Sequence, residues 1–199
     1  MGNFCEAKPQ RRDLQTAVEL GVRKHMKGIY SVFALLVFVL SMHAASEENR
    51  AAELVGVMRL DFSALDSTIW SIRRKVQLGE MKADVSECLS KIDHKRFTKV
   101  WAEQVASKLT EEEIEIALDF YSSPAGRKYT EYGLTEAHNK FAGSNIEKYP
   151  TFLKSEQKNI LEFANSITGL KLIKDHVLTS PYPDRVAALQ NQLVLDCVK

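Results

Sequence analysis

From residue 47 onward, apolar residues recur at three- and four-residue intervals, and that spacing predicts helix after helix. In the stretch 47–62, Ala51, Leu54, Val55, Met58 and Phe62 share one face, so the first helix is expected there. A second is expected over 64–78, stopping at Gly79. Between Lys82 and Leu109, one group (Val85, Cys88, Leu89, Ile92) precedes another (Phe97, Val100, Trp101, Val105), predicting one long helix or two with a break near Asp93 and His94. Thr110 and Glu113 then have the spacing of a capping box, in which the hydroxyl takes the N3 amide and the carboxylate takes the Thr amide. The helix that follows carries Ile114, Ala117, Leu118 and Tyr121 on one side.

Its end, "LDFYSSPAGRKY" at 118–129, places Ser-Ser-Pro and a Gly inside helical pattern. Ser123 before Pro124 makes a good N-cap and N1 pair, because the hydroxyl satisfies an orphan amide and Pro has none to leave unpaired. A tight helix-to-helix corner is therefore expected, with Gly126 marking a close approach of two backbones. The next helix runs from about Pro124 through Tyr129, Tyr132 and Phe141, and Pro150 terminates it. Farther on, Pro181 and Pro183 interrupt helix and Asp184 is expected to cap a last one, whose face is Val186, Leu189, Leu193 and Cys197.

The corner recurs. "LEFANSITGLKL" at 161–172 sets Phe163, Ser166, Gly169 and Lys171 against Phe120, Ser123, Gly126 and Lys128, always 43 residues apart. Such a period suggests a duplicated helical hairpin, and two copies are too few for a solenoid. The expected fold is all-α, a compact bundle of about six to eight helices with internal similarity, preceded by a leader helix.

The pattern differs before residue 46. "MKGIYSVFALLVFVLSMHAAS" at 26–46 has Lys27, an apolar run from about Ile29 to Leu40 and a tail of small residues, which is the layout of a secretory signal peptide. A bilayer span takes roughly 20 apolar residues and this run has about a dozen, so cleavage is expected rather than anchoring. The expected organisation is an N-terminal extension over 1–25, with translation starting at Met1 or Met26, a signal peptide over 26–45 and one helical domain over 46–199. The expected address is the periplasm. Membrane attachment follows only if the leader stays uncleaved, as an inner-membrane tether.

Composition narrows the class. With 199 residues, 45% of them hydrophobic and 27% charged, the chain has material for one real core. A formal charge of +1, falling to about −2 once residues 1–44 are removed, gives no cationic face for nucleic acid.

Candidate chemistry is thin. Two cysteines follow the leader, Cys88 and Cys197, and an oxidising compartment favours a disulfide between them over two buried thiols. His94, His138 and His176 lack a His, Cys or carboxylate three or four residues away, so no helical metal site is expected and surface or capping roles are. Glu111, Glu112 and Glu113 sit in a first helical turn, where negative charge complements the helix dipole. Common nucleophile, metalloprotease and P-loop signatures are not found, and no catalytic residue or cofactor is expected. Tyr121, Tyr129 and Tyr132 are expected in the core by their spacing, the alternative being an exposed aromatic groove for a peptide or glycan.

"LTEEEIEIALDFYSSPAGRKY" resembles the core motif of a bacterial family known as domain of unknown function twenty fifty-nine, through Thr110, Glu111, Glu112, Phe120, Tyr121, Ser123, Pro124, Gly126 and Lys128. The resemblance implies an exported helical bundle and brings no reaction, cofactor or catalytic residue. The expected function is a non-catalytic module binding a protein, peptide or envelope component. The alternative is an envelope hydrolase whose site is assembled from distant residues.

Overall fold

The computed structural model describes residues 49–142 and 147–199, and all the secondary structure among them is helical. The expectations for 1–25 and for the signal peptide at 26–45 lie outside the described residues. Helix α1 covers 49–58 and α2 covers Leu60–Gln77. Their junction is Arg59, in the left-handed region at φ 54 and ψ 35, where its amide donates to the Gly56 carbonyl at 3.1 Å. The sequence pattern carried the first helix through Phe62, because neither Gly nor Pro announces a break there. Left-handed backbone at a non-Gly residue costs about 1–2 kcal/mol. Packing offsets it, since Leu54 and Val55 before the break and Leu65 and Ile72 after it enter one core cluster.

Helix α3 (Ala83–Ser90), a 3-10 turn (His94–Phe97) and α4 (Thr98–Lys108) follow, so the expected break falls at Asp93, whose carboxylate accepts from the Lys95 amide. Next come α5 (Glu111–Ser122), α6 (Pro124–Ala142), α7 (Lys154–Ala164), the single turn α8 (Ile167–Gly169) with a π-helical turn (Leu170–Lys174), and α9 (Asp184–Val198). Pro183, not Asp184, is the N-cap of α9, and Asp184 instead places its charge in the first turn. Cys88 on α3 and Cys197 on α9 are joined across 109 residues of chain, with their Cα atoms 5.7 Å apart. Gln190 of α9 donates to the Ala64 carbonyl of α2 at 2.8 Å and so ties α9 to a second helix.

The two corners are built alike. The Thr110 hydroxyl accepts from the Glu113 amide while Glu113 accepts from the Thr110 amide, which completes the capping box that starts α5. At α7, Glu156 accepts from the Leu153 amide at 2.8 Å, and Leu153 has no hydroxyl for the other half. Ser123 Oγ accepts from the Gly126 amide at 3.1 Å, and Ser166 Oγ from the Gly169 amide at 3.0 Å. A Cβ on Gly126 would meet the Phe120 carbonyl and lie 2.6 Å from Tyr121 Cα; one on Gly169 would meet the Phe163 carbonyl group. Both glycines are thus dictated by a helix turning back on the helix before it.

The copies also grip one another reciprocally. Lys128 of the first meets Glu156 of the second at 2.8 Å, and Lys171 of the second meets Glu113 of the first at 2.5 Å. Phe120 and Phe163 stack face to face, centroids 3.9 Å apart and planes within 5°. When residue i of one copy touches j of the other and j touches i, the pair has two-fold character. Here the stacked phenylalanines mark the axis. The Lys171 ammonium, helped by the Thr110 amide, holds the Glu113 carboxyl below the usual carboxylate range, and Lys128 with the Leu153 amide does the same for Glu156.

Candidate functional site

The motif residues of the sequence lie at the first corner: Phe120 and Tyr121 are buried, and Ser123, Pro124 and Gly126 form the turn itself. Lys128 does more than close the corner. Besides Glu156 it donates to the Thr151 carbonyl at 3.2 Å, and so fixes the segment that leads into α7. The other end of that segment is held at Glu147. Asn139 of α6 donates to the Glu147 carbonyl at 3.0 Å and accepts from its amide at 2.9 Å.

Between these ties the 147–153 segment becomes a wall of a groove. Tyr149 packs against Tyr132 with centroids 5.0 Å apart, and Phe152 lies 6.1 Å from the same ring. A cavity of about 380 Å³ opens between α6 and α7, lined by Tyr129, Tyr132, Phe152, Gln157, Ile160 and Leu161. Leu161 is 62% exposed and the neighbouring Leu153 64%. Burial, and after it the Glu136 carboxylate, pushes the Tyr129 phenol up, so this ring stays neutral at physiological pH. The three tyrosines noted in the sequence are thereby divided. Tyr121 goes to the core, while Tyr129 and Tyr132 line the groove.

Two further clefts carry more polar side chains than the groove does. One of about 580 Å³ lies between α2 and α9, where Gln190 is already bonded to α2. Another, of about 430 Å³, collects Arg59, Asp61, His94, Lys95 and Thr98 at the break between α1 and α2. Its buried carboxylate is committed to structure, because Asp61 accepts from the Thr98 hydroxyl and the Phe62 amide, both at 2.8 Å. Among the described residues no group of three or more His, Cys, Asp and Glu side chains is arranged to hold a metal ion.

His138 is where the sequence pointed least well. Its Nδ1 meets Glu147 at 2.8 Å and its Nε2 meets Asp66 of α2, 72 residues away, with the Trp70 ring alongside. Both nitrogens facing carboxylates is a geometry for imidazolium. Burial acts to lower its pKa, but the hydrogen bonds to Glu147 and Asp66 outweigh it and hold His138 above the ordinary value. The folded chain therefore binds the proton more tightly than the unfolded chain does. The contribution to stability is complete below the unfolded value of about 6.5 and is lost as pH rises through the folded value. Accordingly, His138→Gln is expected to lower the melting temperature more at about pH 6 than at about pH 9, and equal losses at both would contradict the imidazolium.

The signal for these pairings was partly present. Carried back ten residues from Phe163, the 43-residue register sets Leu153 and Glu156 on Thr110 and Glu113, so the two carboxylates that meet Lys171 and Lys128 hold matching positions. Nothing local marks Asp66 as the partner of His138.

No curated protein and no solved structure matches the chain. Residues 96–135, from the 3-10 turn into α6, match the model of a family described as "Uncharacterized protein conserved in bacteria (DUF2059)". The motif stretch that resembles that family in sequence, 110–129, falls inside the match, so the part of this chain that is similar to DUF2059 holds the first of its two helical corners.

Proposed function

We propose that the protein is an exported helical module that binds a partner in the cell envelope through the groove between α6 and α7. The observation that carries this reading is the groove's lining: five apolar or aromatic side chains and one amide, Gln157, on a surface with Leu161 open to solvent. Large apolar side chains held outward by hydrogen-bonded walls mark interaction sites on soluble domains. Export is supported by the leader pattern at 26–46 and by the Cys88–Cys197 bridge, since such bridges persist in oxidising compartments.

An environment-sensitive apolar dye tests the groove directly. Leu161→Glu is expected to remove most of the dye's fluorescence enhancement while circular dichroism stays unchanged. Undiminished enhancement in that variant would refute the groove as the binding face. Fractionation with mass measurement tests the address, the expected product being a chain shortened at about residue 45 and recovered outside the inner membrane.

A further inference from the structure

The two-fold relation between the corners makes the groove comparable with a place elsewhere in the same molecule. Displacing its α7 side by 43 residues gives Leu109 for Phe152, Ile114 for Gln157, Ala117 for Ile160 and Leu118 for Leu161. Every one of those first-copy residues is buried, at 5% exposure or less. On α5, then, this face is covered by the chain's own elements, whereas on α7 Gln157 and Leu161 are exposed and Phe152 and Ile160 are half-buried.

One covering element is tethered there by charge. Arg50 of α1 donates to Glu115 of α5, Nε to Oε1 at 2.7 Å and NH2 to Oε2 at 2.9 Å. Beside it, Ala51, Leu54 and Val55 of α1 are fully buried in the core cluster that contains Ile114, Ala117 and Leu118. An amphipathic helix with a basic residue beside its apolar face is thus what α5 receives. On α7 the flanking charge is reversed. Lys154 stands where α5 has Glu111, and Lys158 where it has Glu115. Among the described residues Lys158 makes a loose contact with Glu162, at 3.6 Å with both side chains exposed, which leaves it open to a stronger partner.

Resting on the groove as the binding face, we propose that its occupant is an amphipathic helix of a partner protein, laid on α7 as α1 is laid on α5, with a carboxylate opposite Lys158. Apolar residues at i, i+3 and i+4 would enter between Tyr132, Phe152 and Leu161, the helix-in-groove mode of recognition. The acidic residue sets orientation and rejects helices of the α1 type, for which Lys158 is a like charge.

The probe is a fluorescent peptide of residues 47–62 carrying Arg50→Glu, titrated by anisotropy against the full chain, with the unaltered 47–62 peptide in parallel. The altered peptide is expected to bind roughly tenfold more tightly than the unaltered one. In the Lys158→Glu variant the preference is expected to reverse, and Leu161→Glu is expected to abolish both. If both peptides bind alike and ignore Lys158, or neither binds while the dye still reports a groove sensitive to Leu161→Glu, the helical occupant is refuted and the groove stands. If dye and peptides both ignore Leu161→Glu, the groove falls as well. Circular dichroism of each variant separates these results from loss of fold.

Discussion

Gly126→Ala is expected to destabilise the domain by about 3 kcal/mol or more, at the upper end for overpacked sites. The added Cβ would meet the Phe120 carbonyl and lie 2.6 Å from Tyr121 Cα, and both obstacles are backbone, so no rotamer change relieves them. Relief requires α6 to move off α5. That movement would draw Lys128 from Glu156 and Thr151 and spoil the wall of the groove. Gly169→Ala meets the Phe163 carbonyl group in the same way and is expected to behave alike. Gly133, farther along α6, is the control: nothing lies within 4 Å of a Cβ there. Because Gly inside a helix is worse than Ala by roughly 0.5–1 kcal/mol, Gly133→Ala is expected to stabilise slightly. Denaturant midpoints of the three variants decide the matter, and a Gly126→Ala midpoint equal to that of the parent would mean the corner is not packed as described.

Removal of the disulfide has the other large expected effect. The bridge closes a loop of 109 residues, for which the chain-entropy model gives about 4–5 kcal/mol. The double variant Cys88→Ser with Cys197→Ser is therefore expected to melt roughly 10–20 °C lower in a chain of this size. Reductant is expected to lower the parent to the same point and leave the variant unchanged. A parent insensitive to reductant would show that α3 and α9 are held by packing alone. The expected mode of loss is loosening of α9 from α3, where the bridge sits, while Gln190 still bonds α9 to α2.

What could be read from the residues alone follows the range of the forces involved. The capping box at Thr110 and Glu113 and the Ser123–Pro124 corner involve groups within one turn of each other, so identity and spacing suffice. The register of 43 was visible in Phe, Ser, Gly and Lys because a tight corner tolerates few substitutes, and Gly126 and Gly169 tolerate none without backbone movement. Arg59 was hidden for the opposite reason. Its left-handed backbone is imposed by the need of α1 and α2 to face one core, and a local pattern has no term for that.

The open face of α7 was equally out of reach of pattern. Ile160 and Leu161 have the spacing of core residues, as Ala117 and Leu118 do, and hydrophobic periodicity assigns both pairs inward. Which pair is covered depends on where α1 travels after leaving its own sequence neighbours. His138 shows the same division, since its role was set by Asp66, brought to it across 72 residues by the packing of α2 on α6.

The amino-acid order by itself determined the helices, their caps, the glycine corners and their repetition, because each rests on contacts within a few residues along the chain. Tertiary structure alone decided which apolar faces meet and which stay open, where α1 gives way to α2 at Arg59, and that His138 meets Asp66. Those outcomes depend on the summed burial of the whole bundle, and no window of sequence contains that sum.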